Sequence, residues 1–221
     1  MQEPLKAVIF DMDGVLINSE QLWRRAMIKG FGEYHMFLTE EDCRKTMGMR
    51  FGEVIHLWLQ HFKLVHLSAP LIEERVMNLL LDLIEKEGAY IAGIPEIIGF
   101  CRQKSLPMGL ATSSSRLLMN AVLTKLGLHT TLQVTVSAEY LKHGKPHPEV
   151  FLICAEKLGV LPSECLVIED SINGIIAAKA AQMKVVAVPD EEHADLKQFV
   201  LADYKFSSMK EVLPLIRILF P

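Results

Sequence analysis

Apolar positions follow one spacing up to about residue 88 of this 221-residue chain and another beyond it. A short apolar run, Ala7-Val8-Ile9-Phe10, comes first, apolar enough to be a strand buried on both faces. Helical spacing follows. Leu22, Trp23, Ala26, Met27 and Gly30 form one stripe, and Phe51, Val54, Ile55, Trp58 and Phe62 a second. A third runs through Ile72, Val76, Leu79, Leu80 and Leu83. Thr39 before Glu40-Glu41-Asp42 predicts a helix start, with acids on the positive end of the helix dipole. Ser68 is expected to cap the third long helix, with Pro70 in its first turn. No strand is predicted between Asn18 and about Gly88.

From Tyr90 onward strands and helices alternate. Strands are predicted over 107–112, 134–137, 166–168 and 185–188, and helices from Gly93 and over 116–126, 148–158, 172–181 and 210–219. Gly127 falls where a helix C-terminal cap is expected. This alternation predicts an α/β fold, a Rossmann-like parallel sheet with helices on both faces. Residues 1–17 and 89–221 would form that core, and 18–88 an inserted all-helical cap domain. Ligands of such sheets bind at the carboxyl ends of the strands, near the point where strand order reverses.

The candidate chemistry gathers at those ends. The first strand delivers Asp11 and Asp13, followed by Gly14, which lets the backbone turn sharply and approach a ligand. Two carboxylates at the edge of an apolar core are costly unless donors or a cation meet them, and carboxylate oxygens suit Mg²⁺. Thr112 and Ser113 end the next predicted strand; Lys145 follows the third; Glu169 and Asp170 end the fourth. Singly these are ordinary turn and cap residues. Their order and placement at successive strand ends carry the argument.

Composition narrows the partners. A formal charge of -4 supplies no basic field for nucleic acid or an anionic membrane surface. Half the residues are hydrophobic, yet no apolar run reaches the ~20 residues a membrane-spanning helix needs. Cys43, Cys101, Cys154 and Cys165 are scattered without metal-finger spacing and read as reduced thiols. With no visible signal peptide, a cytoplasmic protein is expected, with a monomer as the expected state.

The ordered motifs resemble those of the haloacid dehalogenase superfamily of phosphotransferases. Asp11-Met12-Asp13-Gly14-Val15-Leu16 matches the first motif, Thr112-Ser113 the second, Lys145 in Gly-Lys-Pro-His-Pro the third, and Glu169-Asp170-Ser171 with Asn173-Gly174 the fourth. The likeness covers essentially the whole chain. It is greatest to the β-phosphoglucomutase-like branch, and within it to bacterial sugar and hexitol phosphatases acting on substrates such as 2-deoxyglucose 6-phosphate.

The resemblance implies a Mg²⁺-dependent phosphatase of small phosphorylated metabolites. Asp11 would be the nucleophile that forms an aspartyl-phosphate, and Asp13 the general acid/base. Asp11, the backbone carbonyl of Asp13, and Asp170 would hold Mg²⁺, with Glu169 a ligand or an outer partner. Thr112, the Ser113 amide and Lys145 would bind the phosphoryl oxygens. An acid at Asp13 argues against dehalogenation, since a halide leaves without a proton.

A phosphomutase is the alternative. The mutase pattern places a histidine where Trp23 stands and a lysine near residues 75–81, and this chain has neither. Trp23 is expected to stack on a sugar, close the site, or pack within the cap. Arg50 is either a substrate contact or a solvated helix-start arginine, and His143 and His147 flank Lys145. Asn18 stands where an aspartate is common in this branch. Hinges for cap movement are expected near 15–18 and 88–93. A catalytically silent binding protein on the same fold would lack Asp11, Asp13, Lys145 or Asp170, and all four are present.

Overall fold

Ala7–Phe10 forms strand β1, every residue of it buried, because an apolar run without alternation has two faces to cover. The computed structural model describes residues 4–46, 48–190 and 194–221. After β1 come the helices α1 (Glu20–Gly32), α2 (Glu40–Arg44), α3 (Phe51–His61) and α4 (Ala69–Glu87). Then α5 (Ile94–Gln103), β2 (Met108–Thr112), α6 (Arg116–Leu126), β3 (Val134–Ser137) and α7 (Glu149–Leu158) alternate. The chain ends through β4 (Cys165–Glu169), α8 (Ile172–Ala180), β5 (Lys184–Ala187), β6 (Tyr204–Lys205) and α9 (Met209–Leu219).

Among the described residues six strands pair in parallel, in the order β3-β2-β1-β4-β5-β6. The first connections build outward from β1 on one side, and β4 then returns to its other side, so strand order reverses between β1 and β4. Ile9 sits beside Gly109 of β2 and Val167 of β4, which brings three strand ends to one place.

Strand alternation divides the core into two layers. Val8, Phe10, Leu110, Leu166, Ile168 and Val186 face the layer holding α5, α6 and α9. Ala7, Ile9, Ala111, Val167, Val185 and Ala187 face α7 and α8. The first layer continues without a break into the helical segment through Leu16, Ile17, Phe31, Ile72 and Ile84. Within that segment α1 and α4 lie so close that a Cβ on Gly30 would come 2.4 Å from Val76 Cγ2.

Local capping follows the residue chemistry with one correction. Thr39 and Asp42 form a reciprocal capping box at α2, and Ser115, Ser171 and Ser208 accept backbone amides at α6, α8 and α9. Gly127 closes α6 in the left-handed region at φ 66°. Ser68 makes no side-chain capping bond, so the Pro70 ring and its fixed φ mark the start of α4 instead. The strand β6 and the short 3₁₀ turns at Pro162–Glu164 and Lys197–Leu201 were not foreseen.

The two chain crossings between helical segment and sheet are stitched together. Ile17 and Tyr90 form an antiparallel bridge, and Ile91 N donates to Leu16 O at 3.2 Å. Asn18 N donates to Ala89 O at 3.1 Å, and its Oδ1 accepts from Ala89 N at 2.9 Å. An aspartate oxygen would accept that amide equally, so the bond does not require the charge that Asn18 lacks. Among the described residues no helix is long and apolar enough to cross a membrane.

Candidate active site

The ends of β1, β2 and β4 deliver acids and hydroxyls, and the loop after β3 adds a cation. Asp11 follows β1 directly, its amide held by Ile168 O at 3.0 Å. From the loop before α7, Lys145 enters the core and is 3% exposed. Its Nζ lies 2.6 Å from Asp11 Oδ1 and 2.5 Å from Glu169 Oε1, over the face of Phe151. The two carboxylates outweigh burial and push the ammonium pKa up, keeping the charge in place.

Glu169 is committed on both oxygens. Oε1 takes Lys145, while Oε2 accepts from the Asp170 and Ser171 amides and from Ser171 Oγ, each at 3.0 Å. A Cβ at Gly174 would fall 1.7 Å from Glu169 Oε1, so the first turn of α8 rests against this carboxylate.

Asp11, Glu169 and Asp170 present oxygens within 4.8 Å of one another. Burial pushes Asp11 up to about 7; Glu169 and Asp13 push the same way, and Lys145 opposes them. Asp170 is likewise raised, by burial first and then by Glu169, Glu20 and Asp11. Gly14, at φ +73°, gives Asp170 its room, since a Cβ there would meet Asp170 Oδ2 at 1.8 Å. Buried hard oxygen donors whose charge is this unfavourable fit a hard divalent cation.

Asp13 points elsewhere. Its Oδ1 accepts from Ser19 Oγ at 2.5 Å and Trp23 Nε1 at 3.0 Å, and its Oδ2 from Ser114 Oγ at 2.6 Å. Its side chain therefore stands outside the group formed by Asp11, Glu169 and Asp170. Thr112 Oγ1 accepts from Ser114 N, and Ser113 Oγ donates to Gly48 O across to the helical segment at 3.0 Å.

A cavity of about 830 Å³, its mouth included, lies over these groups. Asp11, Asp13, Thr112, Ser113, Lys145 and Asp170 line its floor, and Trp23 lines the helical side. Phe51, Met27 and Val54 make that side apolar, and Glu20, Arg24 and Arg44 add charge. Burial, followed by the neighbouring Asp190 carboxyl, pushes Glu20 up to about 8.

Arg50 is not brought to the cavity: it pairs with Glu53, and its Nη1 donates to Leu141 O at 3.0 Å. His143 and His147 stack on each other with ring centres 4.4 Å apart and are not among the lining residues. Sequence reasoning missed Ser19, Glu20, Arg24, Arg44 and Ser114. Ser114 bonds a residue 101 positions away, and only its place in a Ser-rich turn after a strand hinted at it.

The family model described as haloacid dehalogenase-like hydrolase matches residues 8–188. The chain belongs to the haloacid dehalogenase-like hydrolases. It is an enzyme of that family, consistent with phosphoric monoester hydrolysis. Over 207 residues it is 39% identical to hexitol phosphatase B of Escherichia coli K12, covering 93% of each chain. It is also 31% identical over 194 residues to that organism's fructose-1-phosphate phosphatase YqaB, covering 85% of this chain and 98% of the relative. The solved β-phosphoglucomutase of Clostridium difficile superposes with a TM-score of 0.86 at 24% identity, covering 98% of this chain and 97% of that one. That likeness speaks to fold. Within this haloacid dehalogenase-like hydrolase, two acids of one turn face different partners, one a lysine and two further carboxylates, the other neutral donors.

Proposed function

We propose that the chain is a Mg²⁺-dependent phosphatase of small phosphorylated sugars or sugar alcohols. The observation that carries this reading is the divided environment of Asp11 and Asp13, which suits a nucleophile beside an acid/base. The similarity to hexitol phosphatase B and to fructose-1-phosphate phosphatase supports the sugar and sugar-alcohol class.

In this reading Asp11 attacks phosphorus, and the phosphoryl group passes to its carboxylate as the leaving oxygen departs. Asp13 gives a proton to that oxygen, then takes one from the water that hydrolyses the aspartyl-phosphate. Thr112, the Ser113 amide and Lys145 bind the phosphoryl oxygens as charge builds on them. Asp11, Asp170 and the Asp13 carbonyl would hold Mg²⁺, with Glu169 orienting Lys145 and the Asp170 amide from outside. When bound, Mg²⁺ would offset the charge that gathers between the carboxylates and the phosphoryl group. Residues 18–88 act as the cap, 1–17 and 89–221 as the core, and the stitched crossings as hinges.

Phosphate release from a panel of sugar, hexitol and nucleotide monophosphates tests this. Release from hexose or hexitol phosphates is expected, lost on chelation and in Asp11→Asn. Silence there, with glucose 1-phosphate isomerised in the presence of a bisphosphate primer, would identify a mutase instead.

A further inference from the structure

Asp13 is met by donors from both sides of the cavity, and the three are not equivalent. A serine hydroxyl donates or accepts by rotating, whereas an indole N–H only donates. The carboxyl oxygen facing Trp23 Nε1 at 3.0 Å must therefore present a lone pair in that direction. Ser114 Oγ, 2.6 Å from the other oxygen, is able to accept a hydrogen bond from a proton held there or to donate to a bare oxygen. Ser114 also lies beside Thr112 and Ser113, at the end of β2 that lines the cavity floor. The indole itself packs against Phe51, ring centres 5.2 Å apart.

From these contacts we infer that Trp23 is a positioning residue for the acid/base. Its N–H, beside the Ser19 hydroxyl on the same oxygen, turns the Asp13 carboxylate so that Oδ2, rather than Oδ1, exchanges the proton. The inference rests on the phosphatase chemistry proposed above and adds to it. In the first half-reaction the Asp11–phosphorus bond forms and the bond to the leaving oxygen breaks. The proton on Asp13 Oδ2 passes to that oxygen, and Asp13 is left anionic. In the second half, water oxygen bonds to phosphorus, the Asp11–phosphorus bond breaks, and a water proton returns to Oδ2. Trp23 keeps its own proton throughout. Because Trp23 belongs to α1 and Ser114 to the turn after β2, the carboxylate is fully oriented only while the two sides of the cavity are together.

A ring that merely stacked on substrate would lose affinity when altered. A positioning N–H loses rate in proportion to how strongly the leaving group needs a proton. The test is kcat and KM of the full-length enzyme with Mg²⁺ on substituted phenyl phosphates, from p-nitrophenyl to phenyl phosphate. These share a shape and differ in leaving-group basicity. Trp23→Phe is expected to lower kcat/KM on phenyl phosphate by about tenfold or more, on the scale of general acid catalysis. On p-nitrophenyl phosphate the loss should stay within about twofold, with KM little changed in both. Should Trp23→Phe disturb folding, benzothienylalanine placed at position 23 keeps the ring shape without the N–H and is expected to behave alike. Equal loss across the series, or a rise in KM alone, would overturn the inference. A wild-type enzyme that cleaves aryl phosphates but no sugar or hexitol phosphate would overturn the substrate reading and leave this one standing. Inactivity of the wild type on every phosphate ester would overturn both.

Discussion

The floor and the roof of the cavity are built by different physics. On the floor, Lys145, Asp11 and Glu169 are buried ions held by contacts of 2.5 and 2.6 Å, and Glu169 is further fixed by two amides and a hydroxyl. The roof is mainly packing: Phe51 lies against Trp23 and Phe31, and Met27 and Val54 join the same apolar cluster. Buried ions lose heavily when one partner goes, whereas apolar contacts adjust over a range of shapes. A reaction common to many substrates belongs on the first kind of surface, and selection among substrates on the second. Asp13 is where the two meet, since its donors come from both.

Perturbing the floor should have the larger effects. Asp11→Asn is expected to lower turnover by roughly 10⁴-fold or more while circular dichroism stays native, the size of loss seen when a nucleophile is removed. Lys145→Met leaves Asp11 and Glu169 facing each other unpaired, and chemical denaturation should show a loss of about 3–5 kcal/mol together with activity. Removing the cation should matter more as pH rises. Asp11 is held at about 7, above its unfolded value near 3.9, so its contribution to folding is fully present below about 4 and is lost as pH rises through 7. A divalent cation favours the ionised form, so Mg²⁺ should raise Tm more at pH 8 than at pH 5.5. An equal shift at both would separate Asp11 from the cation site.

Perturbing the roof should be gentler. Phe51→Leu reshapes the surface under Trp23, and is expected to change the ranking of sugar and hexitol phosphates several-fold while costing about 1 kcal/mol of stability. Asn18→Asp should have the smallest effect. The Oδ1 that accepts the Ala89 amide survives, so activity within about twofold of wild type and stability within about 0.5 kcal/mol are expected.

Most of the sheet was legible because buried strands and their following helices write period and punctuation into neighbouring residues. Asp11, Thr112, Lys145 and Asp170 were legible as strand-end polar groups, and all line the cavity. Tyr204–Lys205 was not, since two residues carry no period and the pairing comes entirely from β5. Ser68 was misread because a serine before a helix signals a cap whether or not its hydroxyl turns inward. On the roof, Arg50 had the charge and a place before a helix, yet Glu53 and the Leu141 carbonyl take its guanidinium, while Arg24 and Arg44 line the cavity. Which arginine faces inward depends on how helices rotate against one another, and helical spacing alone does not fix that.

The account stands on a covalent step at one carboxylate. Enzyme quenched during turnover of a hexitol or hexose phosphate, reduced with borohydride and digested, should yield homoserine at position 11, since borohydride converts an acyl phosphate to the alcohol. Asp11→Asn should yield none. Reduced product at another carboxylate, or none at any position while wild-type enzyme is turning over, would contradict the account.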